Sequence, residues 1–303
     1  MIPLIIALPG NEVLAASLAP RLNAEIARAQ FRRFPDEESY VRVDSDLAAR
    51  SVVLVSTLDR PDSKFLPLMF CAATARELGA ARVGLIAPYL AYMRQDRRFH
   101  PGEAISSRVF ARHLSEHLDW LVTVDPHLHR ISALSEIYGI PAVAVHASPW
   151  LADWIRDCVA APVLIGPDEE SAQWVEAVAK GAGAPFVILQ KHRLSDTELE
   201  ISIPDVARWR DHTPVLVDDI VSTARTMIQT LGHLRQAGMK PAICVGVHAV
   251  FALGAYDALL AAGAARIVTT NTIAHPTNAI DIAPAIGEAA ARLIGDPALP
   301  SHS

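Results

Sequence analysis

A chain of 303 residues has room for about two domains of the usual 100–200 residues, enough to bury a core without disulfide or metal staples. Hydrophobic residues make up 51% of it, charged residues 20% and aromatic residues 6%, a balance that excludes a disordered chain. The net charge of −6 excludes a protein built around a basic nucleic-acid field. Three scattered cysteines, Cys71, Cys158 and Cys244, form no CxxC pair and read as reduced thiols of a cytoplasmic protein. The opening MIPLIIALPG has neither a basic n-region nor a small-residue cleavage pattern, so no secretory signal is expected. No apolar run approaches the roughly 18 residues of a membrane span.

In chain order, short apolar runs predict strands at 3–8, 51–56, 82–87, 120–125, 163–166, 184–189, 214–218, 243–248 and 266–269. Longer Ala-rich amphipathic stretches between them predict helices at 65–79, 103–117, 170–181, 223–237 and 255–262. Near-continuous apolar strands alternating with helices indicate parallel sheets covered on both faces, hence an α/β fold. The order of runs repeats. VVLVST (52–57), RVGLIAPY (82–89) and WLVTVDPH (120–127) pair with VLIGPD (163–168), PFVILQKH (185–192) and PVLVDDIV (214–221), the third run of each set ending in an Asp. This points to a duplicated architecture, although an α/β chain also shows such runs without duplication. The Pro-bearing HASPW near residue 147 divides the halves into domains 1–146 and 147–303, the last helix being free to pack back on the first domain.

Ligands in open α/β sheets sit beyond the carboxyl ends of the strands, so the residues following these runs are the candidates for chemistry. The strongest signal is VLVDDIVSTARTM (215–227). A buried strand delivers Asp218 and Asp219 into a loop, and Ser222, Thr223 and Thr226 then open a helix. Backbone N–H groups and hydroxyls at such a helix start make an anion site, and the paired acids can grip sugar hydroxyls or a hydrated metal ion. No GxxxxGK[ST] occurs anywhere in the chain, and the Gly-Ala-Gly at 181–183 lies before a strand and lacks a third glycine, so neither a Walker A loop nor a dinucleotide fingerprint is expected.

The loop at 215–227 resembles the phosphoribosyl-pyrophosphate (PRPP) binding motif of type I phosphoribosyltransferases and PRPP synthetases. With RFPDEESYVRV (33–43), YLAYMRQDRR (89–98), TVDPHLH (123–129), GPDEES (166–171), LQKHR (189–193) and TNTI (270–273) in family order, the chain resembles the ribose-phosphate pyrophosphokinase (PRPP synthetase) family over most of its length. The resemblance implies two tandem phosphoribosyltransferase-like domains, each a mainly parallel sheet flanked by helices. It implies transfer of the β,γ-pyrophosphoryl group of ATP to the 1-hydroxyl of ribose 5-phosphate, giving PRPP and AMP, with Mg²⁺ as cofactor. By resemblance Lys191 and Arg193 are the catalytic cations, and Phe34, Asp36, Glu37, Glu38, Arg94, Gln95 and Asp96 bind ATP. Asp218, Asp219, Ser222, Thr223, Ala224, Arg225 and Thr226 bind ribose 5-phosphate, while His127 and Asp168 serve the metal. Neutral His is an atypical Mg²⁺ ligand, which leaves His127 a phosphate or a metal-bound water as alternatives. A homo-oligomer with sites shared between subunits is implied too. A non-catalytic regulatory homologue and a PRPP-consuming phosphoribosyltransferase are the rival readings.

Three segments depart from the family pattern. Glu37 stands where Gly is usual, and Gly often supplies a positive φ. Glu169, Glu170 and Ser171 replace small residues in the Pro-Asp loop, and Arg225 stands at a usual Gly position in the phosphate loop. Arg225 is expected either to crowd a loop of unusual backbone angles or to replace lost backbone contacts with its guanidinium.

Overall fold

The computed structural model describes residues 2–128, 130–193, 199–202 and 207–296, with backbone alone at 170, 190–193, 199–202 and 207. The chain divides into two compact units. One comprises Met1–Val145, Thr272–Ala274 and Ile282–Ser303, the other His146–Asn271 and His275–Asp281.

The first unit runs β1 (Leu4–Ala7), α1 (Glu12–Arg21), β2 (Glu25–Ile26), β3 (Ala29–Arg33), β4 (Ser39–Val43), β5 (Ser51–Val55), α2 (Asp62–Glu77), β6 (Arg82–Ala87), α3 (Ser106–His117), β7 (Trp120–Val124) and β8 (Ala142–Val145). Six of these strands form an all-parallel sheet in the order β2-β1-β5-β6-β7-β8. Alternate strand residues Leu4, Ile6, Val52, Leu54, Val83 and Leu85 pack in one cluster with Leu68, Ala72 and Ala75 of α2 and Phe110 and Leu114 of α3. The intervening Ile5, Val53, Ile86, Trp120 and Val122 are fully buried as well. A period-2 strand buried on both faces must be apolar throughout, which is why these runs were legible as parallel strands.

The second unit runs α4 (Ser148–Cys158), β9 (Pro162–Gly166), α5 (Ala172–Ala182), β10 (Phe186–Ile188), β11 (Gln190–Arg193), β12 (Leu199–Ser202), β13 (Thr213–Ile220), α6 (Arg225–Gln236), β14 (Ile243–His248), α7 (Ala255–Ala261), β15 (Arg266–Thr270) and β16 (Asn278–Ile280). Its all-parallel sheet has the order β10-β9-β13-β14-β15-β16. The final helix α8 (Ala283–Gly295) belongs to the first unit, where it packs on α1, β7 and β8, and the Arg82 guanidinium donates to the Asp296 carbonyl at 2.7 Å.

Both sheets have the same topology, with an antiparallel hairpin inserted after the second strand: β3–β4 in one unit, β11–β12 in the other. This corrects the pairing of runs read from sequence. The counterpart of β5 is β13, so WLVTVDPH (β7) matches β15 rather than PVLVDDIV, and Asp125 and Asp218 are not equivalent positions. All buried parallel strands carry one pattern, so apolar runs alone cannot fix which strand answers to which. The stretch 33–43 is also more than a loop, since β3 and β4 frame its tip.

Candidate active site

In the second unit, β13 carries the phosphate-loop candidates. Val215, Leu216 and Val217 are buried and anchor the strand, while Asp218 and Asp219 are half-buried at its end. The chain then turns through Val221–Ala224 into α6 and borders an open cavity of about 100 Å³ together with Asp218, Ser222, Thr223, Arg225 and Thr226. Burial, then the charge of and a hydrogen bond with Asp219, then the charge of Asp168 push the Asp218 carboxyl well above the usual carboxylate range. Asp219 and Asp168 thus both lie within electrostatic reach of Asp218. Asp168 also caps the next turn: its carboxylate accepts from the Ser171 N–H at 3.1 Å, and Ser171 Oγ donates to the Asp168 carbonyl at 2.7 Å.

The left-handed residue of the phosphate loop is Ala224, at φ 56° and ψ 13°, and Arg225 opens α6 as an ordinary helical residue. The expected crowding by Arg225 is thus corrected: the demanding backbone angles fall one residue earlier, and the Arg225 side chain is exposed beside the cavity. A neighbouring loop after β14 braces this turn. Val221 N–H donates to the His248 carbonyl at 3.0 Å, Phe251 N–H to the Val221 carbonyl at 2.9 Å and Ala252 N–H to the Ser222 carbonyl at 3.1 Å. Phe251, Tyr256 and His275 form an aromatic cluster with edge-on and tilted rings, centroids 4.6–5.8 Å apart, and burial lowers the pKa of His275. The apolar run HAVFALGAY gave no sign of this bracing role, because it depends on which loops the sheet order makes neighbours. Lys191 and Arg193 lie on β11, opposite Ile201 and Leu199 of β12; their side chains lie outside the described part of the structure, as does His129 entirely.

The first unit carries the other candidates. At the hairpin tip, Phe34 N–H donates to the Glu38 carbonyl at 2.8 Å and Glu37 N–H to the Phe34 carbonyl at 2.9 Å. Asp36 Oδ1 accepts from the Glu38 N–H at 3.3 Å, and Glu37 holds φ 69°, the left-handed region its usual glycine would favour. Phe34 packs edge-on against Tyr40 with centroids 5.9 Å apart, and the Arg32 guanidinium lies 4.6 Å and 4.0 Å from the two ring centroids.

Arg94 is exposed in the loop after β6. Gln95 Nε2 donates to Glu103 Oε2 at 3.2 Å and to the Arg97 carbonyl at 3.3 Å. The Asp96 side chain, 5% exposed, pairs with Arg130 at 3.3 Å, which ties this loop to the one after β7 where Asp125 and His127 sit. Those two residues hold φ 31° and φ 55°, with the His127 N–H donating to the Asp125 carbonyl at 2.8 Å. Arg130, Glu103 and Arg32 are participants the sequence reading missed, since each acts through a fold-made pairing.

Among the described residues, no group of three or more His, Cys, Asp or Glu side chains is arranged to hold a metal ion. Asp168 supplies oxygen donors of the type Mg²⁺ takes. His127 and Asp168 belong to different units.

Residues 4–117 match the family model of the N-terminal domain of ribose phosphate pyrophosphokinase, and residues 133–282 match that of the phosphoribosyl transferase domain. A ribose-phosphate pyrophosphokinase of Methanopyrus kandleri is 37% identical over 284 residues, covering 93% of this chain and 96% of the relative. One of Saccharolobus solfataricus is 34% identical over 260 residues, covering 85% and 88%. The crystal structure of phosphoribosylpyrophosphate synthetase from Mycobacterium smegmatis superposes with a TM-score of 0.82 at 23% identity, covering 97% of this chain and 99% of that one.

Proposed function

This chain belongs to the ribose-phosphate pyrophosphokinase family, and we propose how its own residues carry that family's reaction, transfer of pyrophosphate from ATP to the 1-hydroxyl of ribose 5-phosphate to give PRPP and AMP. Such a transfer asks the protein for positioning and charge neutralisation. The observation that carries the assignment of the sugar-phosphate site is the turn at 218–226. There a left-handed Ala224 swings the chain into α6 so that backbone N–H groups, the hydroxyls of Ser222, Thr223 and Thr226 and the Arg225 guanidinium border one cavity. They hold the 5-phosphate, and Asp218 and Asp219 accept hydrogen bonds from the ribose hydroxyls.

Lys191 and Arg193 stabilise the charge that develops on the migrating group and on departing AMP. Phe34, with Asp36, Glu37 and Glu38, borders the adenosine, and Arg94 meets the triphosphate, while Gln95 and Asp96 hold the Arg94 loop in shape through Glu103 and Arg130. Mg²⁺ is the cofactor, and bound Mg²⁺ would neutralise phosphate charge; Asp168 of the second unit and His127 of the first are each offered to a metal, directly or through its waters. The enzyme works as a homo-oligomer in which the exposed hairpin tip around Phe34 reaches a neighbouring copy. Its place is the cytoplasm, a reading supported by three free cysteines. Among the described residues no helix is long and apolar enough to cross a membrane.

The test is incubation with ribose 5-phosphate, ATP and Mg²⁺, following AMP and PRPP together. Folded protein that yields neither product, with and without inorganic phosphate, overturns the reading. Consumption of PRPP in place of its formation would favour a transferase.

A further inference from the structure

The two units share one topology, so the first unit has a counterpart of the phosphate site. In the second unit that site is lined by the end of β13 and the start of α6, Asp168 of the loop after β9 lies within electrostatic reach of it, and in chain order the β11–β12 hairpin stands between β10 and β13. The corresponding elements are the loop after β1, the end of β5, the start of α2 and the β3–β4 hairpin. These four elements enclose a cavity of about 280 Å³ in the first unit.

Its chemistry is that of an anion site. Arg32, Arg33 and Lys64 line it, and no carboxylate does, in a chain whose net charge is −6. The cations are held in place. Arg33 Nη2 donates to the Ser63 carbonyl at 3.3 Å, Lys64 Nζ donates to the Thr57 carbonyl at 3.0 Å and pairs with Asp59, and Arg32 is stacked on Tyr40. Ser63 and Lys64 stand in the first turn of α2, a 16-residue helix whose N-terminal N–H groups favour negative charge. An independent sign comes from Ser56. It lines the cavity, its residue is 0% exposed, and its Oγ has no hydrogen-bond partner, a buried polar group that a ligand would satisfy. The remaining wall, including Phe31, Tyr40 and Pro67, is apolar.

We infer that this cavity binds a phosphate dianion between Ser56, Arg33 and Lys64, carried on an ester whose apolar body lies against Phe31 and Tyr40. The parallel with the second unit rests on the sugar-phosphate reading of residues 218–226; the cavity's own chemistry does not.

Pyridoxal 5′-phosphate provides the probe, because the chain has four lysines, Lys64, Lys180, Lys191 and Lys240. The amine of a lysine beside a bound phosphate attacks the aldehyde carbon, water leaves, and added borohydride reduces the imine to a stable secondary amine that peptide mapping locates. Labelling of Lys64 in the unmodified enzyme at least 10-fold above Lys180 and Lys240, suppressed by phenyl phosphate but not by phenol, is the expected result. Equal suppression by inorganic phosphate identifies free phosphate as the ligand, and weaker suppression identifies an ester. In calorimetric titrations, Arg33→Gln should weaken phenyl phosphate binding about 10-fold, the loss of a charge-assisted contact. Labelling of Lys64 no greater than of Lys180 and Lys240, or labelling that neither phosphate suppresses, overturns the inference. AMP formation from ATP and ribose 5-phosphate, assayed on the same preparation, reports the catalytic reading separately, so either can fail alone.

Discussion

Gly246→Ala tests whether the position of the phosphate loop is set by the strand beside it. Gly246 of β14 pairs with Asp218 of β13. A Cβ at residue 246 would lie 2.5 Å from Val221 Cγ2, and 3.7 Å from both the Asp218 carbonyl oxygen and Thr269 Cγ2. Ordinary carbon contacts begin near 3.5 Å, so Val221 must retreat by about 1 Å. It has little freedom to do so, being 1% exposed, stiff at χ1 and held by backbone hydrogen bonds to His248 and Phe251. Overpacking of this kind costs about 1–3 kcal/mol, and a misplacement of about 1 Å at a reacting site can cost on the order of 100-fold in rate. Steady-state assays of AMP formation should show the KM for ribose 5-phosphate raised 10-fold or more, the KM for ATP nearly unchanged, and a lower Tm. Adding Val221→Ala removes the clashing methyl, so the double variant should recover with a coupling of at least about 1 kcal/mol. A Gly246→Ala enzyme with unchanged Tm and unchanged KM for ribose 5-phosphate would refute the reasoning.

Four further outcomes are expected. Lys191→Ala should lower kcat on the order of 100-fold or more while the ATP KM moves only a few-fold, and an unchanged kcat removes Lys191 from its role. Arg225→Gly should raise the ribose 5-phosphate KM about 10-fold through loss of a charge-assisted contact; a lower or equal KM would show the guanidinium to be only a tolerated neighbour of the cavity. Glu37→Gly relieves a left-handed residue worth about 1–2 kcal/mol, partly offset by unfolded-chain entropy, so urea unfolding should show equal or greater stability. A clear loss would mean that the carboxylate itself holds the hairpin tip. The His100 and Phe99 N–H groups, together with Gln95, hold the Glu103 carboxyl below the usual carboxylate range. Protection of those two amides from hydrogen exchange should therefore persist at and above the ordinary glutamate pKa and fade only as the pH falls through the lowered value; fading already at higher pH would show that Glu103 does not close this loop.

What could be read from the chain followed from local chemistry. Parallel strands buried on both faces must be continuously apolar, so the α/β class and the nine main strand runs stood out. The acids, hydroxyls and helix start at 218–226 are contiguous and so were legible together. The hairpin around Phe34 was not, since half-exposed residues such as Gln30, Arg32 and Arg42 carry no apolar signature, and β16 is only three residues long. Composition and pattern pointed to two α/β halves and to an acidic chain with cations in the loops read as phosphate-binding. Tertiary structure alone decided which strand of one half answers to which of the other, that Ala224 rather than Arg225 takes the left-handed turn, and that Arg32, Arg33, Ser56 and Lys64 share a cavity. These are long-range pairings, and sheet order, which no local pattern encodes, brings them about.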